Sequence, residues 1–178
     1  VLQLLSEGAD KEAVARERAA PALLQRLGGV RLRRGLWRVL RFGRRHGDGR
    51  GDVRIDDVEL PPITPDEVLL KVVSSSMCLS TYKAVTLGPE HKRVPDDVAD
   101  NPVMTGHEFA GILEEVGANL TDRYAVGQHV AIQPAMGLPG GESPGYSYPF
   151  YGGDASYTIV PKVAIDLGCV LPYDGDYF

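Results

Sequence analysis

The pattern of apolar and polar positions changes character near Asp52. Downstream of it the chain is a series of short, β-rich runs, each closed off by glycine or proline. "DVRIDDVEL" (52–60) alternates with a period of two and is expected to turn Val53, Ile55 and Val58 towards a core. "EVLLKVVSSS" (67–76), "FAGILEEVG" (109–117), "GQHVAIQP" (127–134) and "ASYTIVP" (155–161) complete the set. Strands this short and this regularly punctuated predict a small barrel or sandwich. Between them, "CLSTYKAVTLG" (78–88) predicts a short helix and "PEHKRVPDDVADNP" (89–102) a polar loop. "AMGLPGGESPGYSYPFYGG" (135–153) is too rich in glycine and proline for regular structure. Upstream, "SEGADKEAVARERAAPALLQRLGG" (6–29) reads as helix, capped by Ser6, interrupted by Pro21 and stopped at Gly28-Gly29. The expected class is therefore mainly β with a few short helices. A basic helical extension (1–50) precedes the β-rich domain (51–178).

Composition narrows this only in part. A chain of 178 residues with 43% hydrophobic and 24% charged residues is globular. No apolar run approaches the roughly 20 residues needed to cross a bilayer. The first residues lack the basic start and apolar middle of a signal peptide. Two cysteines, Cys78 and Cys169, make no disulfide framework, so a cytoplasmic location with reduced thiols is expected. Charge is uneven: residues 1–50 carry a net +7 and residues 51–178 a net −12. The arginines of the basic part follow no nucleic-acid-binding spacing, and neither nucleic acid nor membrane is expected as a partner. No strand is followed by G-x-G-x-x-G, and there is no phosphate-binding loop.

Candidate chemistry sits at two strand ends. Cys78 follows the strand run 67–76, at the turn into the short helix. His107 and Glu108, in "PVMTGHEFAGILEEVG" (102–117), precede the strand run 109–117. A thiolate and an imidazole are good zinc ligands, and two strand ends of one small barrel can converge although 29 positions separate Cys78 from His107. Ser80, two residues past Cys78, offers a hydroxyl able to pass a proton. Singly each residue is weak: a lone histidine is most often structural, and a buried free cysteine is usually a small core hydrophobe.

Together, "SSSMCLSTYKA", "GHEFAGILEEVG" and "YAVGQHVAIQP" resemble, in order and spacing, the catalytic domain of zinc-dependent medium-chain alcohol dehydrogenases. The resemblance covers about residues 50–178 and implies a GroES-like β-barrel. It implies Cys78 and His107 as zinc ligands, Glu108 as a supporting or alternative ligand with a catalytic role, and Ser80 as a catalytic proton-relay hydroxyl. "STYKAVTLGPEHKRVPDD", "SPGYSYPFYGGDASYTIVPK" and "GCVLPYDGDYF" are similar to the L-sorbose 1-phosphate reductase-like branch. That branch implies interconversion of a ketose phosphate and a hexitol phosphate with NAD(H) or NADP(H), one catalytic zinc and a homo-oligomeric enzyme. Lys83, Lys92 and Arg93 are then the cations offered to a substrate phosphate.

Three departures from the family pattern follow. The lobe of four cysteines that holds a structural zinc in many relatives has no counterpart in residues 135–153. The nucleotide-binding domain and the remaining zinc ligand are expected beyond residue 178. Cys169, in "DLGCVLPYDG", fits a core or strand-end position better than a ligand. "WRVLRF" (37–42) matches the family's opening strand, whereas residues 1–30 match nothing in it. The reading from another class is a GroES-like barrel kept as a non-catalytic binding or scaffold module. A zinc-independent quinone reductase is a third reading, set aside because that branch lacks both the cysteine and the Gly-His-Glu motif.

Overall fold

A computed structural model of the chain describes residues 36–43 and 50–175. The helix expected over 6–29 lies outside the described residues. The described ones form two antiparallel sheets. Strands β1 (Leu36–Phe42), β2 (Val53–Glu59) and β4 (Val103–Met104) make a three-stranded sheet in the order β2-β1-β4. Strands β3 (Val68–Ser75), β5 (Phe109–Val116), β6 (His129–Ile132), β7 (Tyr157–Val160) and β8 (Val170–Pro172) make a five-stranded sheet in the order β7-β3-β5-β6-β8. Two short α-helices are present: α1 (Leu79–Leu87) leads from β3 towards β4, and α2 (Lys162–Asp166) lies between β7 and β8. All described residues belong to one unit, Gly35–Phe178.

Every strand run and the 78–88 helix expected from the sequence is present. β4, α2 and β8 were not expected: two, five and three residues carry too little periodicity to register. β1 confirms the 37–42 strand and pairs with β2 over seven rungs, Leu36↔Glu59 to Phe42↔Val53.

β3 explains the barrel. Val68, Leu69 and Leu70 are all buried because the strand is covered on both faces. Val68 and Leu70 point into the main core with Phe109, Leu113, Val130 and Tyr151. Leu69 points the other way, to Val39, Met104 and Ile159. A third cluster, Phe42, Ala84, Val85, Val94, Val98, Val103 and Tyr146, seats α1 and the 89–102 loop. In β5 the period-two pattern holds, with Phe109, Gly111 and Leu113 inward.

β2 corrects one expectation. Val53 and Ile55 are 43% and 59% exposed. The half-buried residues are Arg54, Asp56 and Val58, and only Val58 packs on a core cluster. Val58 lies out of phase with the other two, since residues 53 and 55 share one face and residue 58 the other. The inward face is held by charge pairing instead. Arg54 bonds Asp56 at 2.8 Å, reaches Asp52 at 3.3 Å and donates to the Gly43 carbonyl. β2 is an edge strand, and a charged edge is a common protection against edge-to-edge pairing.

A Cβ on Gly111 would lie 2.0 Å from the Lys71 carbonyl oxygen, which is backbone and cannot swing aside. One on Gly127 (φ +85°) would meet nothing within 4 Å. Gly111→Ala is therefore expected to cost about 3 kcal/mol or more, by forcing β3 and β5 apart. Gly127→Ala should cost only the left-handed backbone penalty, about 1–2 kcal/mol. Urea unfolding midpoints test this ranking, and a larger loss for Gly127→Ala would contradict it.

Candidate metal centre

The β3–β5 ladder ends at the rung Ser75↔Phe109, so the chain leaving β3 and the chain entering β5 start side by side. A bulge between Val72 and Ser74 re-aims the end of β3. The Ser76 amide bonds the Glu108 carbonyl at 2.9 Å and carries the pairing one step further. Cys78 then sits at the N-cap of α1 in extended backbone, its carbonyl accepting from the Thr81 amide at 3.0 Å.

On the other side, the glycine before His107 is required by two constraints at once. Gly106 has φ +84°, and a Cβ on it would lie 2.5 Å from the Asp154 amide nitrogen. Gly145 approaches from a third segment, where a Cβ would lie 2.5 Å from Gly106 backbone and 2.9 Å from the His107 nitrogen. Asp154 ties the segments together. Its Oδ1 accepts from Ser75 Oγ and its Oδ2 from Thr105 Oγ1, each at 2.8 Å. Its amide bonds the Thr105 carbonyl at 3.0 Å.

The outcome is that one ligand-type atom from each of Cys78, His107 and Glu108 lies within 4.8 Å of the other two. His107 Nε2 stands 3.5 Å from Glu108 Oε1. Ser76 Oγ donates to the other oxygen of Glu108, which leaves Oε1 directed at the cluster. Ser80 Oγ is 3.0 Å from Cys78 Sγ. The Tyr146 hydroxyl is 2.7 Å from Ser80 Oγ and 3.0 Å from His107 Nδ1. The Tyr146 ring is fully buried, stacked on His91 at 5.7 Å, with the Arg93 guanidinium 5.5 Å from its centroid.

The surroundings adjust the ionisable groups in a consistent way. The hydrogen bond from Ser80 lowers the Cys78 thiol below its usual range. Burial lowers His107, against the pull of Glu108, and so favours the neutral imidazole. Burial raises the Tyr146 phenol, partly offset by hydrogen bonding to Ser80 and Thr81. A sulfur, an imidazole nitrogen and a carboxylate oxygen form a donor set suited to zinc, unlike the all-oxygen shells of calcium and magnesium.

Of the residues singled out by sequence, Cys78, Ser80, His107 and Glu108 come together, and Arg93 reaches them through Tyr146. Lys92 is exposed and acts on His91 rather than on His107. Lys83 is exposed on α1, whose buried residues are Ala84 and Val85. Cys169 is 2% exposed in the main core, where burial raises its thiol. Sequence reasoning missed Tyr146, Asp154, Ser76 and Thr105. The available signal was a tyrosine inside the 135–153 segment, which its glycines and prolines marked only as irregular.

The Alcohol dehydrogenase GroES-like domain family matches residues 64–167. The chain is 57% identical over 130 residues to the mannitol-1-phosphate 5-dehydrogenase of Aliivibrio fischeri (strain ATCC 700601 / ES114), covering 73% of this chain and 31% of that protein. It is 40% identical over 129 residues to the L-sorbose 1-phosphate reductase of Klebsiella pneumoniae, covering 72% of this chain and 32% of that protein. The chain thus spans about a third of the length of these curated relatives. Among solved structures, 2R,3R-butanediol dehydrogenase from Bacillus subtilis shares the fold with a TM-score of 0.62 at 23% identity, over 78% of this chain and 40% of that one. With the family match spanning more than half of its residues, and a barrel built as described, the chain belongs to the zinc-dependent medium-chain alcohol dehydrogenase family, of whose GroES-like domain it is an example.

Proposed function

We propose that this chain carries the metal- and substrate-holding part of a nicotinamide-linked oxidoreductase that interconverts a ketose phosphate and a hexitol phosphate. The observation that carries this reading is the convergence of Cys78, His107 and Glu108 where β3 ends and β5 begins. A scaffold module has no use for a thiol, a neutral imidazole and a carboxylate held together in this way. In this reading Cys78, His107 and Glu108 hold one zinc ion. Bound there, zinc supplies Lewis-acid polarisation of a carbonyl or hydroxyl oxygen. Ser80 holds the proton nearest the cluster and acts as the relay hydroxyl. NAD(H) or NADP(H) is assigned to the part of the relatives' length that this chain does not span.

The phosphate preference is supported by the names of the two sugar-phosphate relatives and by Arg93. Among the described residues no carboxylate is paired with its guanidinium, which lies against the Tyr146 ring and close enough to His107 to lower that group. A planar fork so held suits bidentate phosphate recognition better than the exposed ammonium groups of Lys83 and Lys92.

Two outcomes are expected. In zinc competition titrations the wild-type chain takes up one equivalent. Cys78→Ser and His107→Ala each lose more than the roughly 10–100-fold typical of a supporting residue. Equal zinc uptake by the His107→Ala chain would sink the metal reading. In the full-length protein, Arg93→Lys is expected to raise KM for a phosphorylated ketose while leaving that for an unphosphorylated one unchanged. An equal effect on both would remove Arg93 from phosphate recognition.

Acid sensitivity follows from the two histidines. Burial holds both His91 and His107 below the ordinary value near 6.5. Below that value the unfolded chain binds more protons than the folded one, so their contribution is fully present above about pH 6.5 and is lost as pH falls through the histidine range. The urea midpoint of the metal-free chain should drop between about pH 7.5 and 5.5, and His91→Gln should flatten the slope. A midpoint that rises on acidification would contradict this.

A further inference from the structure

Tyr146 is, with Tyr151, one of the two largest fully buried side chains among the described residues, yet its hydroxyl faces polar atoms. It touches Ser80 Oγ at 2.7 Å and His107 Nδ1 at 3.0 Å, and Ser80 Oγ in turn lies 3.0 Å from Cys78 Sγ. The four groups form one chain of hydrogen bonds, and its direction follows from counting protons. A cysteine that ligates a metal does so as thiolate, which can only accept. Ser80 must then donate to Cys78, which spends its single proton. Tyr146 must donate to Ser80, which spends its own. The remaining contact, at His107 Nδ1, can form only if the imidazole carries its proton there and Tyr146 accepts it. Nε2 is then left with an open lone pair on the side of Cys78 and Glu108.

The opposite tautomer has a competitor in its favour. Glu108 Oε1 is 3.5 Å from His107 Nε2 and would accept a proton held there, which would block the nitrogen the metal needs. The hydroxyl that settles the contest has little freedom. Its ring is stacked on His91 at an interplanar angle of 13°, with Arg93 near it. Its loop is closed by the Gly145 amide on the Tyr151 carbonyl and by the Ser147 hydroxyl on the Arg93 carbonyl.

We propose that Tyr146 is a positioning residue of the metal site: by accepting the His107 Nδ1 proton and donating its own to Ser80, it holds His107 in the tautomer whose Nε2 is open to a metal and orders the hydrogen bond onto Cys78. This rests on the reading of Cys78, His107 and Glu108 as ligands.

The test uses Tyr146→Phe, which keeps the ring and its stacking and removes only the hydroxyl. Long-range proton–nitrogen spectra of the histidine rings in the metal-free chain, at about pH 9 where imidazoles are neutral, read the tautomer directly. Wild type is expected to carry the proton on Nδ1. Tyr146→Phe is expected to shift it towards Nε2 and to lower zinc affinity by about 10–100-fold. Replacing both hydroxyl partners, Ser80→Ala with Thr81→Ala, should shift the tautomer in the same direction, because the Tyr146 proton loses both acceptors and turns onto Nδ1. Amide spectra of each variant check the fold. If wild type binds zinc and Tyr146→Phe keeps both the Nδ1 proton and the wild-type affinity, the role of Tyr146 is overturned and the metal site stands. If wild type takes up no zinc, the metal reading is overturned and the positioning role falls with it.

Discussion

The pairing of β3 with β5 is the constraint from which the site follows. An antiparallel ladder places the exit of one strand beside the entry of its partner, and here the last rung is Ser75↔Phe109. Whatever follows Ser75 and whatever precedes Phe109 must begin from adjacent points. Cys78 and His107 become neighbours for that reason, although neither contributes to the ladder. The pairing itself rests on Val68, Leu70 and Leu113, all fully buried in the main core. It also needs Gly111, where the two backbones come too close for any side chain. Core truncations such as Leu→Ala typically cost about 2–5 kcal/mol, so damage to the ladder would reach the site without any ligand being altered.

A ladder alone leaves the Cys78 and His107 side chains unaimed. Aiming is done by a knot of three segments, in which Gly106 is pressed against both Gly145 and Asp154, while both Asp154 carboxylate oxygens accept from buried or half-buried hydroxyls. Each such hydrogen bond contributes only about 0.5–1.5 kcal/mol net, but leaving a buried partner unsatisfied costs about 1–3 kcal/mol. The knot therefore acts by penalising alternatives. It admits one backbone path into His107, and Ser76 does the same for the Glu108 carboxylate.

Electrostatics point the same way. On the proposed metal-site reading Cys78 must ionise and His107 must stay neutral; the first is lowered by Ser80 and the second by burial. Both shifts favour the ligand forms, and neither needs a metal to be present. Arg93, held against the Tyr146 ring, adds positive charge that also lowers His107 and so works in the same direction.

Much of this was legible in the chain. Strand runs bounded by glycine and proline, the helix at 78–88, and Cys78 with Gly106-His107-Glu108 at two strand ends are local patterns, and local patterns survive in one dimension. The family resemblance turned those residues into a zinc-site expectation. Three things were not legible. The phase of β2 was misjudged because Val53 and Ile55 have the hydropathy of core residues, whereas an Arg54–Asp56 pair occupies the inward face. β4, α2 and β8 are too short for a repeating pattern to show. The support of the site by Tyr146 and Asp154 depends on segments 39 and 47 residues beyond His107 folding back onto it. No spacing rule encodes such a contact. The sequence by itself determined which residues have the chemistry to bind a metal and which strand ends carry them. The tertiary structure alone decided which nitrogen of His107 faces the cluster and which cation stands near it, because those depend on packing between segments distant in the chain.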